Sequence, residues 1–345
     1  MNRFFTQIAA NDALKEKLGQ DIRANRLSHA YIIEGPRGSG KHTLALSIAV
    51  ALSCQKKSDA NAPLPCLQCP SCRKILGYNS PDVITIGREE KATLGVDAIR
   101  KLKNDVFIAP NDTDVKVYII EDAHLMTVQA QNAFLLTLEE PPAYVLFFLL
   151  CESTEALLET IRSRAPTLHT EPVPQRIMDE HLCKTHPEAA ALKSSNPSEF
   201  SEILATADGK LGIAIELLDP VARKPLIERR ATAKEFVHLC SERKNAAAAL
   251  RFLNSLGQKR DALTAQLSSI LLCLRDLLVC KQTDDPPLCF FADIEEAHAL
   301  AYRFTTPELL ELCNAIDETI GRLRVNANVR LTLTAMAVRV GLLPL

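Results

Sequence analysis

The sequence predicts an α/β domain built on a parallel sheet, followed by an all-helical region, and three observations carry that expectation. Up to about Leu168, short apolar β-rich runs alternate with helical stretches, the pattern of strands joined by crossover helices in one layered domain. From Glu171 onward the strand signal fades, and Ala/Leu-rich segments with helical spacing take over. The 345 residues exceed the roughly 100–200 of a typical domain, and a hydrophobic content of 47% suffices for two or three cores.

The strand candidates are Tyr31–Ile33, Val83–Ile86, Val117–Ile120 and Val145–Leu150, and the clearest helical segments are Ala231–Leu239, Ala246–Leu256 and Pro307–Leu323. The Ala246–Ala249 run comes nearest to low complexity and reads as a tightly packed helix face; no internal repeat is present. Turn chemistry concentrates at Glu171-Pro172-Val173-Pro174 and at Asp219-Pro220, which are taken as domain borders, while Asp284-Asp285-Pro286-Pro287 reads as an internal loop. The expected domains are therefore 1–170, 171–219 and 220–345.

With 40 basic against 42 acidic residues the formal charge is -2, which excludes a chain that coats nucleic acid by bulk charge. Any DNA contact is expected to be local or shared with partners. The stretch Met1–Thr6 has no apolar core of signal-peptide length, and Leu271–Val279 is interrupted by Arg275 and Asp276, so a cytoplasmic protein without a membrane partner is expected. In that reducing compartment the eleven cysteines are unlike a disulfide framework, and clustered ones read as metal ligands.

Gly35-Pro36-Arg37-Gly38-Ser39-Gly40-Lys41 follows the strand at Tyr31–Ile33 and opens a helix through Thr43-Leu44-Ala45, the context that a phosphate-binding loop requires. Gly35, Gly38 and Gly40 let backbone N–H groups converge on phosphate oxygens, and Lys41 reaches the terminal phosphates as a point charge. The next position departs from the pattern. A magnesium-dependent NTPase places Ser or Thr there as a hard oxygen ligand, whereas this chain has His42, a poor substitute. Thr43 points about 100° away from it on the helix and reads as a packing residue, although it belongs to the same candidate binding segment.

The apolar run Val117–Ile120 delivers Glu121 and Asp122 to the C-terminal edge of a strand, where open α/β sheets bind ligands. Working ATPases of this kind carry Asp then Glu, the first for magnesium and the second to polarise water. Here the order is inverted, and Asp122 is one methylene shorter as a base. Between the two motifs, Cys54, Cys66, Cys69 and Cys72 form C-x11-C-x2-C-x2-C, four thiolates within 19 positions. That set suits a closed, structural Zn2+ site that staples the polar insert Gln55–Pro65.

These motifs, with Arg26–Tyr31, Ser80-Pro81-Asp82, Gly95–Arg100, Glu121–Met126, Gln129–Ala133, Leu138-Glu139-Glu140-Pro141-Pro142 and Thr160–Arg164, stand in an order that resembles the AAA+ subunits of bacterial DNA polymerase III clamp loaders. That family comprises the ATP-hydrolysing γ/τ motors and the δ′ stator. The resemblance implies a RecA-like AAA+ domain with a zinc module, a small helical lid and an all-α collar that assembles a hetero-pentamer with γ/τ and δ subunits. It also implies work on a sliding clamp and primed DNA through that complex. Ser163-Arg164-Ala165 keeps the arginine of the family's Ser-Arg-Cys tripeptide, so Arg164 is the candidate for a trans-acting arginine finger.

The lid of the motors carries an arginine that reaches its own γ-phosphate, and Gly212 stands in that place; Cys151-Glu152 replaces the motors' γ-phosphate sensor. Together with His42 and the inverted Glu121-Asp122, these departures resemble the stator and leave passive ATP or ADP binding open, with magnesium ill served. Gly321–Leu331 resembles the last helices of the collar. The cysteines at 240, 273, 280, 289 and 313 lack ligand spacing and read as small core residues.

Overall fold

The structure, a computed structural model, describes residues 3–59, 61–88, 92–242, 246–257, 259–284, 286, 288–291, 293–325 and 327–343. Met1-Asn2, Asp285 and Pro287 of the expected loop, and Asn326 of the expected collar segment, lie outside the described residues.

In chain order, the first elements are α1 (Asp12–Arg23), β1 (Ala30–Glu34), α2 (Lys41–Leu52), α3 (Pro70–Leu76), β2 (Val83–Ile86) and α4 (Val96–Asp105). They are followed by β3 (Lys116–Ile120), α5 (Val128–Glu139), β4 (Val145–Cys151), α6 (Glu159–Arg162) and β5 (Thr167–His169). The strands form one parallel sheet in the order β2-β3-β4-β1-β5, with Ala30 opposite Phe147 and Ile120 opposite Leu149 setting the register. All four expected strands are present, and β5 is an addition. Strand side chains alternate between two cores: Ile33, Ile119 and Phe148 lie with α2 on one face, Ile32, Tyr118 and Phe147 with α4 and α5 on the other. Since both faces are covered, β3 and β4 read as continuous apolar runs. Helix α2 is buried from Leu44 through Ala51, which accounts for its lack of a polar face.

The remaining elements are helical: α7 (Gln175–Thr185), α8 (Pro187–Ser195), α9 (Pro197–Ala207), α10 (Leu211–Glu216), α11 (Pro220–Glu242), α12 (Ala246–Ser255), α13 (Arg260–Cys280), α14 (Ile294–Ala301), α15 (Thr306–Arg324) and α16 (Val329–Arg339). Chain packing divides into two compact units, one ending at His181 and regaining Gly209–Ile213, the other holding Leu182–Asp208 and the chain from Ala214. The segment 171–219, expected as a lid, is thus shared between them. By length and composition alone, Ala262–Cys280 is apolar enough to cross a membrane. In the helical unit it supplies Leu263, Leu267, Ile270, Leu274 and Leu277 to the core. On the same helix Asp276, fully buried, accepts backbone N–H bonds from Cys289, Phe290 and Phe291 and so fixes the following loop.

Candidate functional site

Because the sheet is parallel, β1, β4 and β3 end side by side at one edge, and the chain leaving each contributes Gly35, Glu152 and Glu121 there. Gly38 and Gly40 adopt φ of +80° and +88°, backbone that an L side chain enters only under strain. The Leu44 N–H donates to the Gly40 carbonyl at 2.9 Å, so α2 begins at the loop and aims its N-terminus into it. A Cβ at Gly40 would meet nothing within 4 Å, which leaves the open approach that phosphate needs. The Lys41 ammonium donates to the carbonyls of Gly35 (2.7 Å) and Pro36 (3.0 Å), folded onto its own loop. Burial pushes its pKa down, and the charges of Glu152, Cys151 and Asp122 act against that.

The acidic pair is already engaged. His42 Nε2 lies 3.8 Å from Glu121 Oε1, with its ring stacked on Tyr78 at 6.4 Å between centroids. Asp122 sits at φ +50° and accepts from Arg88 Nε at 2.8 Å. Thr43 is exposed, contrary to the packing role expected of it, because the buried face of α2 begins only at Leu44. Segment 209–213 closes on the loop from above: the Gly212 N–H donates to the Gly38 carbonyl at 2.8 Å. A Cβ at Gly212 would stand 3.0 Å from Gly38 Cα, and one at Gly38 would stand 2.6 Å from Ile213 Cγ1. The edge therefore has the donors and the cation for a phosphate, whereas the position after Lys41 carries an imidazole in place of a hydroxyl and Asp122 is already paired with Arg88.

Cys54 follows α2, Cys69 caps α3, and Cys72 lies within it, so the loop carrying Cys66 brings the four sulfurs within 4.8 Å of one another. The Cys66 and Cys72 sulfurs are 3.9 Å apart, against about 3.8 Å for two thiolates on a tetrahedral zinc with 2.3 Å bonds. Burial pushes Cys66 up, but the backbone N–H groups of Gln68 and Cys69 and the thiols of Cys54 and Cys69 outweigh it, leaving the group at about 6. Burial pushes Cys54 and Cys72 up. The donor set and spacing fit a zinc ion held by all four.

Arg164 lies just past α6. Its guanidinium forms an ion pair with Glu139, 2.7 Å from Oε1, and donates to the Thr160 carbonyl at 2.9 Å. Three further residues shape the site without having been assigned roles from sequence: Arg88, Glu139 and Gln131. Gln131 donates to the carbonyls of Met126 (3.2 Å) and Ala156 (3.1 Å) and accepts from the Leu158 N–H at 2.8 Å, tying the acidic edge to the segment before Arg164. Gln131 and Glu139 stand inside motifs that the sequence displays, whereas Arg88 carries no motif signal.

Residues 10–174 match the family described as DNA polymerase III, delta subunit. This part of the chain, just under half of it, is similar to that family. The tau subunit of DNA polymerase III from Bacillus subtilis is 29% identical over 291 residues, 80% of this chain and 50% of that one. The gamma/tau subunit of Mycobacterium tuberculosis is 34% identical over 181 residues, 52% of this chain and 31% of that one. The chain spans half or less of the length of these curated relatives. Among solved structures, a DNA polymerase III gamma subunit-related protein from Thermotoga maritima is similar at 18% identity and a TM-score of 0.44, covering 94% of this chain and 97% of that one. The matched residues include the glycine loop, the cysteine cluster, the acidic edge and Arg164.

Proposed function

We propose that this chain is a stator of a clamp loader, a δ′-type subunit that sits beside γ/τ and δ subunits and supports ATP-driven placement of a sliding clamp on primed DNA. The observation that carries this reading is the state of its own acidic edge, where Glu121 faces His42 and Asp122 is paired with Arg88. A hydrolytic site needs one carboxylate for magnesium and another for water; here each already faces a basic side chain of the protein. Gly212, resting on Gly38, supplies no arginine for a γ-phosphate. In this reading Lys41 and the glycine loop bind ATP or ADP passively, the four cysteines hold a structural zinc, and Arg164 acts in trans. A guanidinium delivered to a neighbouring ATP offsets charge on the transferred phosphoryl group, an effect worth about 10³- to 10⁵-fold in GTPases.

A second reading, a γ/τ-type motor that hydrolyses ATP itself, is favoured by the names and identities of the curated relatives. The two separate on one substitution. Arg164→Ala in the reconstituted assembly is expected to slow steady-state ATP turnover several-fold while size-exclusion chromatography shows the complex intact. Unchanged turnover removes the finger assignment.

A further inference from the structure

We infer that Glu139 is a positioning residue for Arg164, holding its guanidinium ready for a neighbour's phosphate; this rests on the reading of Arg164 given above. Arginine is a long side chain with many rotamers, and an unrestrained one must lose that freedom each time it meets a phosphate. Here two anchors from different elements have already removed much of it. Glu139, the last residue of α5, forms an ion pair with one terminal nitrogen at 2.7 Å. The Thr160 carbonyl in α6 accepts from the other at 2.9 Å. With a longer contact from that second nitrogen to Ser163 Oγ at 3.4 Å, these use only part of the five-donor fork and leave capacity for phosphate oxygens.

The location of Glu139 argues that it is there for the arginine. A carboxylate at a helix C-terminus faces the negative end of the dipole and is locally unfavourable. Its side chain is 43% exposed, and that of Arg164 37%, so neither core packing nor a buried ion pair accounts for it. The same helix, through Gln131, also holds Ala156 and Leu158. Helix α5 therefore grips both ends of the segment 156–164 and sets where the guanidinium stands.

The test is a double-mutant cycle on ATP turnover in the loader reconstituted with gamma/tau and delta subunits, using wild type, Arg164→Ala, Glu139→Ala and the double variant. Glu139→Ala is expected to lower kcat about 3-fold or more with little change in KM, and to have no further effect once Arg164 is gone. Glu139→Gln keeps the acceptor and the shape but not the charge; it guards against a folding defect and is expected to give an intermediate loss. An equal additional loss in the Arg164→Ala background, or a rise in turnover, overturns the inference. If Arg164→Ala itself changes nothing, the reading beneath it fails instead.

Discussion

The candidate site turns on single atoms at the glycine loop. Gly212 donates to the Gly38 carbonyl at 2.8 Å, and a methyl group in its place would stand 3.0 Å from Gly38 Cα, closer than carbon atoms pack without displacement. Neither side can yield cheaply, since the obstacle is the backbone of a loop whose two glycines have positive φ. Gly212→Ala is therefore expected to destabilise the α/β unit by about 1–3 kcal/mol through overpacking, seen as a lower midpoint in chemical denaturation. A midpoint equal to that of wild type would mean that segment 209–213 does not rest on the loop in solution. His42, Glu121, Asp122 and Gly212 were all legible in the sequence as departures from a hydrolytic pattern. Their consequences were not, because those depend on partners distant in the chain: Asp122 on Arg88, and Gly212 on Gly38.

At the scale of elements, the cysteine cluster is the part that a bound metal ion would stabilise. Its sulfurs lie beneath α2 in the same core as Phe5 and Leu64, and the Phe5 N–H donates to the Leu64 carbonyl at 2.7 Å, tying the insert to the N-terminal segment. Removing zinc would leave close sulfurs, one of them acidic, without the cation that neutralises them. The chain is expected to purify with one zinc, to lose about 3 kcal/mol or more of stability on chelation, and to bind none as Cys72→Ser, by elemental analysis and calorimetry. A metal-free chain that melts at the same temperature excludes the site. Strand positions were readable because β1, β3 and β4 are continuous apolar runs buried on both faces, and Val83–Ile86 was found at its full length. The short β5, Thr167–His169, gives no such run: only Leu168 is buried, and pairing with β1 makes the strand. Helix α11 extends from Pro220 to Glu242, well beyond the segment Ala231–Leu239 that periodicity marked. Its start coincides with an expected break because proline, lacking an N–H, is as suited to a helix's first turn as to a turn.

For the whole molecule, the stator reading requires that an otherwise complete phosphate loop be unable to drive chemistry by itself. In that reading, separate requirements of hydrolysis are each compromised by a residue of this chain. His42 replaces the hydroxyl ligand of magnesium, Arg88 pairs with the carboxylate that would act as base, and Gly212 stands in for the arginine of a motor's lid. These defects fall on different requirements, so correcting one leaves the others in place. The isolated chain with ATP and magnesium is expected to release phosphate no faster than a Lys41→Ala control. Placed in a motor position of the reconstituted assembly, it is expected to depress turnover, because that site then binds without hydrolysing. Phosphate release well above the control, abolished by Lys41→Ala, would return the chain to the motor class that its gamma/tau relatives exemplify. A hydrolytic site would then have to form by displacing Arg88 from Asp122, since a carboxylate held by a guanidinium has little charge left for magnesium or water.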